Sequence, residues 1–311
     1  MRMADAFRRG RAFLVGDAAR AVTPLGAFGL NTGVADAHNL AWKLAMVPAG
    51  QAADRLLDSY HQGRHAVAEL VTRQALLRWE NPRMHWDPTA VAERRAAGAW
   101  NAPMVTMGYR YASSAVIDPV VELPSTEDLT VSLDGAPGSR LPHRWPAGGT
   151  VSTLDLNRSR FAVPAGATGE DWRGAARAVA ATLGMDLDAV VLDEQVASSL
   201  NLANDEALLV RPDGFIAWRT RGTADPARLE QVLAAVTGRQ GRPAPSQVGC
   251  SRADRPSVIR AEPAVVAGAA DVEVQELGQR GAAVPEAQQV DVDECQPVFG
   301  GEAAGGLGED A

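Results

Sequence analysis

The sequence predicts an α/β protein with two folded parts and an acidic tail, and three observations carry that reading. A short apolar run ending in Gly-Asp is followed by two long helical segments. From Val131 to Gly238 strand and helix signals alternate, and beyond Gly238 large apolar residues become scarce. The 311 residues are 46% apolar and 22% charged, which is enough to bury a sizeable core in about two domains. The domains are read as 1–124, 125–240 and 241–311.

The elements follow in order. Arg11-Ala-Phe-Leu-Val-Gly-Asp17 reads as a buried strand arriving at a turn. Such a strand needs neighbours on both edges, and only ten residues precede it, so the reading expects a sheet partner from upstream of the chain. A helix is expected from about Asn31 to Val47, with Val34, Ala37, Ala41, Leu44 and Ala45 on one stripe and Pro48 and Gly50 ending it. A second is expected over about 53–79, with Gly63 as a point of interruption and Asn81-Pro82 as its end. Residues 104–111 read as strand and 117–125 as linker. Strands are expected at 151–156, 160–164 and 189–192, and a helix at 170–183. Arg211-Pro-Asp-Gly214 reads as the turn of a hairpin formed by 207–210 and 215–219. Asp225-Pro226 opens a helix to about Val236. The tail reads as disordered, since its composition cannot offset the entropy of ordering.

Charge and cysteine usage exclude several function classes. The formal net charge is −8, but residues 1–240 carry 25 basic and 26 acidic side chains, and residues 241–311 carry 5 and 12. A nearly neutral body without a basic stripe argues against nucleic acid as a partner. The two cysteines, Cys250 and Cys295, lie in the tail, so no thiol or zinc site is expected in the body. No signal peptide and no ~20-residue apolar span is visible, which reads as a cytoplasmic protein without membrane contact. His61 and His65 stand at i, i+4 but have no third ligand nearby, so they read as a solvated helix face and no metal is expected.

The chemistry is concentrated in Gly16-Asp17-Ala-Ala-Arg-Ala-Val-Thr-Pro24-Leu-Gly26-Ala-Phe-Gly29-Leu30-Asn31-Thr-Gly33 and the helix that follows. A carboxylate ends a strand, glycines let backbone N–H groups approach a ligand, and a helix N-terminus then offers unpaired donors and positive dipole. On residue types alone, such a stretch is first a packing turn and a helix cap.

The same run resembles the second flavin-binding motif of the group A flavoprotein aromatic hydroxylases, which share the para-hydroxybenzoate hydroxylase fold. The resemblance extends through Leu57–His65, Gly108–Val116, Gly138–Trp145, Ser152–Leu156 and Leu208–Arg219, and so spans about residues 3–238. It implies a partial FAD-binding domain followed by a thioredoxin-like domain without redox cysteines. In it, Gly16 and Asp17 form the motif's turn, with Asp17 on the ribityl chain of FAD. Pro24 and Gly26 lie beside the isoalloxazine ring, and Gly29, Leu30 and Asn31 present N–H groups to its pyrimidine edge. The helix dipole would then stabilise the negative charge of the reduced ring.

Two positions depart from the pattern. Arg20 replaces a usual His, which is expected to alter pyrophosphate or solvent contacts, and Ala27-Phe28 puts an aromatic near the ring. The family's GxGxxG unit is absent, so the chain reads as the C-terminal portion of a hydroxylase, from a truncated gene, a split subunit or a mis-called start. The resemblance implies a FAD-dependent monooxygenase using NADPH or NADH on a phenolic or polyketide aromatic. An N-terminal FAD-binding half on another chain and a homo-oligomer are the protein partners it leaves open. No catalytic residue stands out. The alternative is a noncatalytic docking subunit that uses the thioredoxin-like domain.

Overall fold

A computed structural model describes residues 1–145 and 151–239, and the backbone of 265–267. Four strands of two or three residues open the chain: β1 (Arg2–Met3), β2 (Arg8–Arg9), β3 (Ala12–Leu14) and β4 (Arg20–Ala21). β1 pairs antiparallel with β4 and β2 antiparallel with β3. Helix α1 (Phe28–Met46) begins three residues before the expected Asn31. The apolar stripe expected to face the core is turned outward: Val34, Ala37, Ala41 and Ala45 are exposed, and Leu44 is half-buried. The buried face carries Thr32, Asp36, Asn39 and Lys43 beside Phe28, Leu40, Trp42 and Met46. Hydrophobic spacing failed here because buried polar partners decide the orientation.

Helix α2 (Asp58–Glu80) follows a 3-10 turn at Asp54–Leu57. Gly63 does not interrupt it. It admits the Tyr111 ring, which a Cβ at position 63 would meet at 2.9 Å. Three short helices come next, α3 (Arg83–Trp86), α4 (Val91–Ala97) and α5 (Ala102–Met107). The last of these corrects the strand expected at 104–111: Pro103 sits in the first turn of a helix, where its missing N–H costs nothing. The expected linker is tied down, since Ile117 N–H donates to Ala217 O at 2.7 Å. Helix α6 (Leu129–Ser132) is capped by Asp128.

Residues 151–156 are also not a strand. Ser152 and Asp155 close a capping box around a 3-10 turn at Thr153–Asp155, and that local bonding competes with sheet pairing. The remaining elements are β5 (Phe161–Ala165), α7 (Asp171–Leu183), β6 (Leu187–Val191), α8 (Glu194–Ser199), β7 (Leu208–Val210), β8 (Ile216–Arg219) and α9 (Pro226–Val236). Helix α8 was not anticipated, although Asp193 caps it through Val196 N–H. The four strands form one sheet in the order β6-β5-β7-β8, with β5 and β6 parallel and β7 antiparallel to both its neighbours. The largest apolar cluster joins Phe161, Trp172, Leu209, Trp218 and Leu233 of this part to Trp42, Met46 and Leu56 of the first.

Strand β9 (Val265–Ala267) lies parallel to β3, in the register Ala12↔Val265. Among the described residues β3 lies between β2 and β9. The expected disordered tail falls on 241–264 and 268–311, which lie outside the described residues. No described helix is long and apolar enough to cross a membrane.

Candidate flavin site

β3 delivers the chain into a 3-10 turn at Gly16–Ala18. Gly16 adopts φ 60° and lies against Gly33 of α1, where an added Cβ would stand 3.3 Å from the Gly16 Cα. This contact needs two residues without side chains, and it presses the turn onto the helix. Asp17, on the same turn, is exposed, and its carboxylate makes no hydrogen bond or ion pair among the described residues.

The loop then runs through exposed Pro24 to Gly26 at φ 96° and Ala27 at φ 52°. Ala27 is the residue before α1 and supplies no side-chain cap, so first-turn N–H groups at Phe28, Gly29 and Leu30 have no side-chain acceptor. Leu30 is 80% exposed. Asn31 is exposed and turns its amide back to Ala27 O at 3.3 Å. The seven residues singled out by sequence thus lie on one turn, the loop after it and the first turn of α1.

Beneath them are two buried ionic clusters that sequence reading missed. Asp36, fully buried, accepts from Arg20 Nη1 and Arg64 Nε, each at 2.6 Å, and from Gly16 N–H at 3.1 Å. Arg64 also donates to the hydroxyls of Tyr109 and Tyr111 and to Thr32 O. In the second cluster Lys43 Nζ donates to Asn39 Oδ1 at 2.7 Å, and Asn39 Nδ2 donates to Asp213 Oδ2 at 2.8 Å. Asp213 also accepts from Arg211, whose guanidinium lies 4.9 Å over the Tyr111 ring. Burial, reinforced by the Arg211 charge, pushes Lys43 well below the ordinary lysine pKa. For Asp213 burial acts upward, but Arg211 and Lys43 outweigh it and hold the carboxyl below its usual range. The available signal was the i, i+4 spacing of Asn39 and Lys43 and the presence of Asp36 on a helix otherwise read as apolar.

Two expectations change. Arg20 is buried in its pair with Asp36, so it orders the turn from beneath. Phe28 is fully buried against Val67, Val71 and Val105, so its ring belongs to the core and not to the ligand side.

Two family models match this chain: one described as an FAD binding domain over residues 1–75, and one described as the C-terminal part of aromatic-ring hydroxylases over residues 134–240. The chain belongs to the FAD-dependent aromatic-ring hydroxylases. It is 43% identical to tetracenomycin B2 monooxygenase-dioxygenase of Streptomyces olivaceus, over 76% of this chain and 44% of the relative. It is 39% identical to aklavinone 12-hydroxylase of Streptomyces purpurascens, over 76% and 45%. The crystal structure of aklavinone-11 hydroxylase with FAD and aklavinone superposes with a TM-score of 0.64 at 37% identity, covering 76% of this chain and 45% of that one. The chain therefore spans less than half the length of these hydroxylases.

The exposed carboxylate and the uncapped helix start suit an FAD. A carboxylate accepts from sugar-alcohol hydroxyls, and first-turn N–H groups donate to the electron-rich edge of the flavin ring. The donor and acceptor set is free on the surface, while the groups that hold it in place are buried.

Proposed function

We propose that this chain supplies the ring-facing part of an FAD-dependent monooxygenase acting on a phenolic or polyketide aromatic, with NADPH or NADH as reductant. The observation that carries this is the unpaired Asp17 beside an uncapped α1, inside the stretch that matches the FAD binding domain. When bound, FAD supplies the redox and oxygen-activating chemistry. The chain's residues orient it: Gly16 and Asp17 hold the ribityl side, Pro24 and Gly26 flank the ring, and Gly29, Leu30 and Asn31 turn the start of α1 toward its pyrimidine edge. The Gly16–Gly33 contact and the Asp36 cluster keep these groups in register.

The part after residue 124 supports a thioredoxin-like reading. In chain order its strands lie 4-3-1-2 with the third antiparallel, and no cysteine falls between 125 and 240. Such a domain serves for docking and not for thiol exchange. The exposed Leu30–Val34–Ala37–Ala41 stripe on α1 supports a partner half carrying the GxGxxG unit. A docking role alone is the second reading, and uptake of FAD separates the two. Asp17→Ala removes a charge-assisted acceptor worth ~1.5–3 kcal/mol, roughly tenfold to a hundredfold in affinity. Asn31→Ala keeps its backbone donor and is expected to change affinity far less. Flavin-fluorescence titration of the chain measures both, and equal dissociation constants for wild type and Asp17→Ala would remove Asp17 from the site.

A further inference from the structure

A cavity of about 390 Å³ lies between His38 of α1, Arg140, the segment 154–159 and the turn joining β7 to β8. This volume is of the size that takes a small ligand. Two of its walls are tied together by side-chain and backbone bonds. Asn157 Nδ2 donates to Arg211 O at 2.9 Å and to Pro212 O at 3.2 Å, and Gly214 N–H donates to Arg211 O at 2.9 Å. The turn that carries Arg158 and Ser159 is closed by Arg160 N–H on Asn157 O at 2.6 Å.

The hydrogen-bonding groups of this cavity are unequally used. Its carboxylates are engaged: Asp213 accepts from Arg211 and Asn39, and Asp155 accepts from the Ser152 N–H and hydroxyl. Its donors are not. Arg140 is half-buried, and its guanidinium makes no hydrogen bond or ion pair among the described residues. The exposed Arg158 guanidinium is likewise unpaired, and the backbone N–H groups of Arg158 and Ser159 donate to nothing among the described residues. These two residues hold positive φ, 41° and 60°, without being glycine. Such backbone is costly and persists where its surroundings impose it, and successive N–H groups on a turn make a concavity suited to an anion. A phosphate brings three acceptor oxygens and about two negative charges to such a set, more of each than a carboxylate brings.

We propose that this cavity binds a phosphate group, with the Arg140 and Arg158 guanidiniums as charge partners and the N–H groups of Arg158 and Ser159 as donors. The site goes beyond the flavin reading and does not rest on it, since none of its lining residues falls between Gly16 and Asn31. Inorganic phosphates and the phosphate of a nucleotide share this chemistry, and the experiment separates them. Arg140 and Arg158 are binding residues here, and no proton or bond is moved.

The test is calorimetric titration of the full chain with inorganic pyrophosphate and, separately, with adenosine 2′,5′-bisphosphate, at fixed ionic strength so that general screening stays constant. Arg140→Gln is expected to weaken pyrophosphate binding by about tenfold or more, with Arg140→Lys intermediate, and Arg158→Gln by a smaller factor because its backbone donor remains. Arg173→Gln, which removes the same charge from the exposed side of α7, is expected to match wild type. Tighter binding of the bisphosphate than of pyrophosphate, lost in Arg140→Gln, supports the proposal with a nucleotide as the source of the phosphate. Equal binding of the two, lost in the same variant, supports it with inorganic phosphate as the source. Equal pyrophosphate affinity for wild type and Arg140→Gln, with unchanged circular dichroism, would overturn the proposal, as would no heat of binding for wild type up to about millimolar pyrophosphate. Displacement of pyrophosphate by FAD, together with weaker FAD binding in Arg140→Gln, would also overturn it by making the cavity part of the flavin site. FAD uptake without pyrophosphate binding defeats only this cavity, and pyrophosphate binding without FAD uptake defeats only the flavin site.

Discussion

Apart from the buried Arg211–Asp213 pair on the turn joining β7 to β8, residues 1–80 and residues 161–236 are organised by opposite means. In the later region β5 is buried along its whole length, and Trp172, Val179, Leu229 and Leu233 close over it. In the earlier one the strands are two or three residues long, and three charged side chains, Arg20, Asp36 and Arg64, meet in the interior. Apolar contact is non-directional and sums with area, whereas each charge-assisted bond fixes a distance and an angle. A loop proposed to hold FAD needs direction, and the faces of the sheet around β5 need only to be dry. Both buried ionic clusters touch α1, one under the loop proposed to hold FAD and one at the turn joining β7 to β8, so the desolvation of ions is concentrated around this helix.

If that contrast holds, Asp36→Asn should have the largest effect. It leaves two guanidiniums buried around a neutral amide, a loss of about 3–5 kcal/mol of the kind seen when one partner of a buried pair is removed. Urea unfolding measures it, and a loss under about 1 kcal/mol would mean the cluster is ornamental. Next comes Gly63→Ala, whose Cβ would meet the Tyr111 ring at 2.9 Å and push it off Arg64. Overpacking of this sort costs about 1–3 kcal/mol, and the near-ultraviolet dichroism of the tyrosines should change with it.

The Lys43 cluster sharpens the contrast through pH. A lysine whose folded pKa lies below its unfolded value carries its full cost at low pH. Stability therefore rises as pH climbs through the folded pKa toward the unfolded value near 10.4. Wild type should gain stability relative to Lys43→Met between neutral pH and about pH 10, read as the difference in urea midpoints. A constant difference across that window would show that Lys43 titrates normally. The smallest effect belongs to the sheet region: Asp225→Ala removes the acceptor for Arg228 N–H at the start of α9 and should cost about 1 kcal/mol without altering FAD affinity.

The two regions also differed in how far they could be read from sequence. The hairpin around Arg211-Pro-Asp-Gly, the Asp225 cap and the amphipathic α7 were all legible, because local chemistry and tertiary packing agree there. The turn at Gly16–Ala18 could be placed from its Gly-Asp sequence. The orientation of α1 could not, because its apolar residues at 34, 37 and 41 gave way to Asp36, Asn39 and Lys43. Their partners lie on other elements, beyond the reach of any local pattern. Arg140 was invisible for the same reason: a free guanidinium is recognised only once every neighbouring carboxylate has been accounted for.

The Asn39–Asp213 hydrogen bond spans 174 residues of chain. A ribosome adding roughly 5–20 residues per second makes that interval about 10–35 s. Throughout it, α1 can form but its Asn39 and Lys43 stay hydrated. Closing so long a loop carries an entropic cost that local contacts do not repay, which places this contact late in folding. Helix α1 is thus made well before the turn that locks it.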